Sequence, residues 1–217
     1  MERKYPLSRG LPSEPSVVKT YFVKNTKIQF DIREGSIIGY KGDVLVNACN
    51  RGGVTGFGLD GALNNAAGPE LKATRKKKWG KKGIPTGVVR ITDGFGLRVR
   101  RILHTTGPAY RFYQSKEKSE WDKKDELLRQ CYVRCLQKSE SEELQTIAFC
   151  PLSASVFRGE RSLQDILSIA VDAITRACVI LKHVRVISIV AYTKEELSGL
   201  VKVAESCENL LAASEEE

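Results

Sequence analysis

Val44-Leu45-Val46-Asn47-Ala48-Cys49-Asn50 runs directly into Arg51-Gly52-Gly53-Val54-Thr55-Gly56-Phe57-Gly58-Leu59-Asp60-Gly61-Ala62. A short apolar run gives way to two asparagines, then a glycine-rich stretch, then the start of a helical pattern near Asp60, which reads as buried strand, loop and helix. Glycines let backbone N–H groups approach an anion closely, and a helix start adds partial positive charge. Strand ends of this kind are where open α/β sheets bind ligands. Asp60 carries two readings at this stage: a functional carboxylate at the loop, or an N-cap for the helix that continues through Gly61, Ala62 and Leu63.

Two further stretches share the pattern. Phe149-Cys150-Pro151-Leu152-Ser153-Ala154-Ser155-Val156-Phe157-Arg158-Gly159 again lies between a strand and a long helix. Its small residues Ser153, Ala154 and Ser155 suit a concave backbone nest for phosphate oxygens, and Phe157 suits the face of a sugar. An ordinary capped strand-to-helix loop is the competing reading. Ile102-Leu103-His104-Thr105-Thr106-Gly107-Pro108 forms the third, preceded by Gly83-Ile84-Pro85-Thr86-Gly87. His104 falls inside the expected strand and is read as a core histidine with no catalytic role.

Working outward, apolar runs of strand length alternate with amphipathic stretches of helix length, the pattern of an α/β layered fold. Strands are expected at 20–23, 28–32, 44–47, 88–92, 101–105, 146–149 and 184–191, and helices at 58–67, 69–79, 123–138, 162–181 and 194–211. In the fourth helix Leu163, Ile166, Leu167, Ala170, Val171 and Ile174 recur at three- and four-residue intervals and define a buried face. Ser162 or its neighbour is placed to cap the fourth helix, and Thr193 the last. Residues 1–17 read as a flexible arm, 18–212 as one domain and 213–217 as a frayed tail. Residues 111–122 read as a long exposed loop.

A chain of 217 residues is long enough for one sizeable core. No apolar run reaches the roughly 18 residues of a membrane span, so a membrane partner is not expected. The start, MERKYPLSRGLPSEPS, has no apolar stretch to serve as the core of a signal peptide. Six cysteines lie far apart without CxxC spacing and there are only two histidines, so no metal site is expected and reduced thiols in a cytoplasmic or nuclear setting fit best. The net charge of +9 invites a nucleic-acid reading. Much of the excess is local to the run Arg75, Lys76, Lys77, Lys78, Lys81 and Lys82, for which a solvated helix end is the preferred reading and a polyanion site the alternative.

Together NACN, GFGLDGAL, NNAAGPEL, GIPTGVVRIT, ILHTTGP and LSASVFRG occur in the order and at about the spacing of the macrodomain family, over residues 28–192. The chain resembles that family. The resemblance implies a three-layer α/β/α fold around a mixed, mostly parallel sheet of six or seven strands, a monomer that needs no cofactor, and ADP-ribose or an ADP-ribosylated protein as partner. It places Asn50 at the distal ribose, with Asn47 nearby, and wraps Gly56, Phe57, Gly58, Leu59 and Asp60 around that ribose and its phosphate. Ser153, Ala154, Ser155, Val156, Phe157 and Arg158 would form the pyrophosphate loop, and Tyr192 would lie against adenine. Members that remove mono-ADP-ribose from proteins link an aspartate at the position of Asp60 to catalysis, so the implied activity is hydrolysis of ADP-ribosyl or O-acyl-ADP-ribose esters, with Asp60 handling water and Asn50 orienting the ribose. A non-catalytic reader is the alternative.

Three positions depart from the family pattern. Ser36, before Ile37, replaces an aspartate that receives the adenine amino group, which removes a charge-assisted hydrogen bond. Phe57 and Ser155 replace glycines. Phe57 either narrows the distal site or swings away from it.

Overall fold

The computed structural model describes residues 5–110 and 118–213. In chain order its elements are β1 (Ser16–Val23), β2 (Gln29–Glu34), β3 (Gly42–Ala48), α1 (Leu59–Ala67), α2 (Pro69–Trp79), β4 (Val89–Asp93), β5 (Val99–Thr105), α3 (Lys118–Ser141), β6 (Thr146–Phe149), α4 (Leu163–Ala177), β7 (Val186–Ala191), α5 (Lys194–Ser206) and β8 (Leu211–Ala213). The strands form one eight-stranded sheet in the order β4-β5-β3-β6-β7-β2-β1-β8. From β5 to β2 the five central strands are parallel; β4, β1 and β8 join antiparallel at the two sides.

Side-chain alternation along the strands divides the core in two. Val44, Val46, Ile147, Phe149, Ile187 and Ile189 pack with the buried faces of α3, α4 and α5. Leu45, Ala148, Val190 and Ile102 point the other way, onto Leu63 and Ala67 of α1, Leu71 of α2 and the 3-10 turn Ile37–Gly39. A sheet covered on both faces explains the nearly continuous apolar reading of β7. The three layers follow.

Several boundaries depart from the sequence reading. The last helix was expected to reach residue 211, but α5 ends at Ser206 and the chain turns through Cys207 and Leu210 to lay Leu211 against Val23, giving an eighth strand. Leu210-Leu211-Ala212-Ala213 carries no helix breaker; burial of Leu211 and pairing with the exposed edge of β1 override its helical propensity. The expected loose arm, residues 1–17, is also corrected over residues 5–17, of which Ser16 and Val17 belong to β1. Ser8 N donates to Gly96 O at 2.9 Å, Arg98 Nη1 donates to Pro12 O at 2.6 Å, Pro15 is buried, and the Tyr5 and Phe95 rings lie 4.8 Å apart. Polar composition misled here because the segment is held through its backbone. Of the expected loop at 111–122, residues 118–122 are the first turn of α3 and residues 111–117 lie outside the described residues, as do 1–4 and 214–217 of the expected ends.

Near the end of α3, the Glu140 carboxylate clamps the approach to β7. It accepts from the backbone N–H of Lys182 at 2.8 Å, of His183 at 3.0 Å and of Val184 at 3.3 Å, with His183 Nδ1 at 2.8 Å. Burial by itself raises its pKa, but these donors outweigh burial and bring it from 4.5 to about 2. A depressed folded-state pKa means the stabilisation is complete above pH 4.5 and is lost as pH falls towards 2. Glu140→Ala is expected to lower stability by about 1.5–3 kcal/mol at neutral pH. Urea melts should show the gap to wild type closing through that acid window; a gap independent of pH would mean the carboxylate charge is not what holds the loop.

Candidate functional site

Because β2, β7, β6, β3 and β5 run parallel, their C-terminal ends open on one edge of the sheet. The stretches singled out by sequence leave from that edge: 49–60 from β3, 150–162 from β6, 106–110 from β5, Ser36 and Ile37 from β2 and Tyr192 from β7. Since β3 and β6 are neighbours, the loops that follow them leave side by side from that edge.

Asn50 shapes the loop after β3. Its Oδ1 accepts from Gly52 N at 2.9 Å and Gly53 N at 3.3 Å, and its Nδ2 donates to Thr55 O at 3.0 Å. Gly58, with φ of 60°, stands at the N-cap of α1, so Asp60 is a first-turn residue and not the cap. Phe57 is fully exposed to solvent. Leu59 is half-buried and packs with the α1 core. Cys49, beside Asn50, is a poor nucleophile: burial pushes its thiol up to about 12.

Beneath this loop lies a buried polar chain. Asn47, expected at the ligand, is wholly buried. Its Nδ2 donates to Asp60 Oδ1 at 2.6 Å and faces His104 Nδ1 at 3.1 Å. With Nδ1 accepting, His104 is neutral and its Nε2 donates to Thr92 Oγ1 at 2.9 Å. Burial first, then the nearby Arg75 charge, holds the His104 pKa well below its usual value. Asp60 is only 2% exposed and accepts from Arg75 Nη1 at 2.6 Å. Arg75 is wholly buried; its Nε donates to Gly53 O at 2.9 Å, and the same carbonyl receives Trp79 Nε1 at 2.6 Å.

The loop after β6 is held from below. Leu152 N donates to Tyr132 Oη at 2.7 Å, and Ser153 Oγ donates to Pro108 O at 2.8 Å. Ser153, with φ of 59°, takes the left-handed conformation, and Ser155, which stands where the family has a glycine, does not. Ser155 and Val156 are exposed at the rim, Ala154 is buried and Phe157 half-buried, and Phe157 O accepts Tyr110 N at 2.7 Å. Arg158 turns back onto its own loop, donating to Ala154 O at 3.2 Å and Arg161 O at 3.4 Å. Arg161 closes the base of the loop with Asp125 at 2.7 Å and Asp165 at 2.6 Å, while Tyr110 Oη donates to Asp125 at 2.8 Å. Sequence reasoning missed this cluster, whose members are far apart in the chain.

Farther along the same edge, after β2, Ser36 is half-buried with an extended backbone, and its carbonyl accepts Gly39 N at 2.9 Å. Ile37 is 4% exposed, so its side chain belongs to the core. Tyr192 is 78% exposed, and its N–H donates to Glu196 Oε2 at 2.8 Å.

The basic run divides. Arg75 and Trp79 are buried with Leu71 at four-residue intervals, the signal of one inward helix face that the run of lysines obscured. Lys76, Lys77, Lys78, Lys81 and Lys82 are exposed. With Trp79 inside, the exposed part of the run offers no ring for base stacking. Any nucleic-acid binding is then expected to be charge-driven. Replacing Lys76, Lys77 and Lys78 together by alanine should flatten the slope of log K against log salt by about 2–3 if all three meet phosphates. An unchanged slope in an anisotropy titration assigns that binding elsewhere.

Comparison with known proteins agrees with this architecture. The Macro domain family model matches residues 46–163, and the chain belongs to that family. It is 37% identical over 133 residues to a macro domain-containing protein of Xanthomonas axonopodis pv. citri, covering 60% of this chain and 70% of that one. It is 34% identical over 132 residues to a protein of Escherichia fergusonii named O-acetyl-ADP-ribose deacetylase, covering 60% and 71%. The solved Oceanobacillus iheyensis macrodomain with ADP superposes with a TM-score of 0.79 at 26% identity, covering 91% of this chain and 99% of that one.

Proposed function

We propose that the chain binds ADP-ribose in the cleft at the C-terminal edge of its parallel strands. The observation that carries this reading is the placement of the loops 49–60 and 150–162 after neighbouring parallel strands, each with its backbone shaped by hydrogen bonds from its own side chains, Asn50 and Ser153. Such loops present N–H groups to a diphosphate, and the start of α1 adds partial positive charge. The Oceanobacillus structure with ADP, similar over nearly its whole length, supports the same ligand class. In this reading Gly56, Phe57, Gly58 and Leu59 line the distal end through their backbone, 153–158 surround the pyrophosphate, and Ser36, Ile37 and Tyr192 border the adenine end. Calorimetry with ADP-ribose tests the reading: saturable heat at micromolar ligand is expected, and none at millimolar ligand removes it.

A second reading, hydrolysis of O-acyl-ADP-ribose or of ADP-ribose esters on protein carboxylates, is favoured by the name of the Escherichia fergusonii relative together with Asp60 in this chain. It assigns Asp60 to the water and Asn50 to the distal ribose. Incubation with O-acetyl-ADP-ribose and with a protein ADP-ribosylated on glutamate separates the readings. Loss of label with wild type and not with Asp60→Asn supports hydrolysis; full retention leaves binding alone.

A further inference from the structure

We propose that Arg75 is a positioning residue that holds Asp60 out of reach of water, so that the cleft retains ADP-ribose esters without hydrolysing them. This rests on the ADP-ribose reading of the cleft.

Ester hydrolysis adds the oxygen of water to the acyl carbon. The water proton passes to a base, the ribose oxygen leaves and takes up a proton, and the products are a carboxylic acid and ADP-ribose, with no net change of oxidation state. The base must present a lone pair to that water within hydrogen-bond reach. Asp60 does not. Its Oδ1 already accepts from Asn47 Nδ2 and Arg75 Nη1, both at 2.6 Å. Its Oδ2 has no hydrogen-bond partner among the described residues, yet it is shut in: a Cβ on Gly56 would stand 2.9 Å from it, so the loop backbone lies directly above.

The arrangement is built into the helix and the loop together. Arg75 comes from the buried face of α2 with Leu71 and Trp79. While Nη1 meets Asp60, Nε holds Gly53 O, and Trp79 Nε1 holds the same carbonyl from the side. Turning the guanidinium away from Asp60 would also release the loop. The ion pair and the shape of the distal loop are therefore one structure.

The test uses the full chain with O-acetyl-ADP-ribose as probe, in wild type, Arg75→Gln and Arg75→Gln/Asp60→Asn, with ADP-ribose affinity measured for each. Wild type is expected to bind and leave the acetyl group in place. Arg75→Gln should raise the rate of acetyl release by about 10–100-fold over the wild-type background, up to the lower end of what a placed base contributes. Adding Asp60→Asn should abolish the gain. An Arg75→Gln protein that binds ADP-ribose and shows no gain overturns the proposal while leaving the binding reading intact, as does Asp60-dependent hydrolysis by wild type. Failure of wild type to bind ADP-ribose defeats both. If Arg75→Gln does not fold, the guanidinium N–H signals of wild-type Arg75 decide by NMR: signals that stay slowly exchanging and unmoved at saturating ADP-ribose support the proposal, and their release by the ligand overturns it.

Discussion

Asp60→Ala is expected to lower the free energy of unfolding by about 3–5 kcal/mol, because it leaves the guanidinium of Arg75 buried without a counter-charge. Arg75 is wholly buried, and its Nη2 already lacks a partner among the described residues, so no other acceptor stands ready to replace the carboxylate. Arg75→Met/Asp60→Leu removes both charges at similar volume and should recover much of the loss, as a double-mutant cycle in urea would show. A cost for Asp60→Ala under about 1 kcal/mol would mean that the pair is not a closed interior contact in solution. The expectation bears on enzymology too. Activity lost on replacing Asp60 by alanine would report folding as much as chemistry; Asp60→Asn keeps the volume and an acceptor oxygen but not the charge, so its stability is to be measured beside its activity.

Gly61→Ala is the second large effect. A Cβ there would sit 2.5 Å from the carbonyl oxygen of Gly56, and that neighbour is backbone, which has no rotamer to turn aside. Either the loop 52–58 or the first turn of α1 must shift, at about 1–3 kcal/mol of stability. Gly61 itself presents no side chain to a ligand, so any change in affinity comes through the displaced loop. ADP-ribose affinity should fall by about tenfold or more, roughly 1.4 kcal/mol. Affinity unchanged within error in calorimetry would show that the loop after β3 takes no part in holding the ligand.

The layered fold was legible because its signals are local: alternation on the strands, the three- and four-residue spacing in α4, and caps at Ser162 and Thr193 that the structure realises through hydrogen bonds to Asp165 N and Glu196 N. The stretches at the cleft were legible because each follows a strand and is rich in small residues. What the sequence did not show was direction. Nothing in the order of residues says that Asn47 and Asp60 turn inward to each other, that Phe57 turns out, or that Ser153 and not Ser155 takes the left-handed conformation. Those outcomes depend on partners distant in the chain, such as Arg75 for Asp60 and Pro108 for Ser153. Arg75 was the costliest omission. Read with its lysine neighbours it is one more surface charge; read with Leu71 and Trp79 it lies on the inward face.

The pairing of Arg75 with Asp60 also alters what an aspartate at this position signifies when sequences are surveyed. Once a guanidinium is sealed beneath the loop, selection for a foldable chain is enough to retain the acid, whether or not any bond is ever broken above it. A survey that takes this aspartate as the hallmark of turnover would rest on a residue that the buried guanidinium needs as a counter-ion in either case. Inspecting the residue fifteen places later, where the cation enters, shows which sequences this concerns.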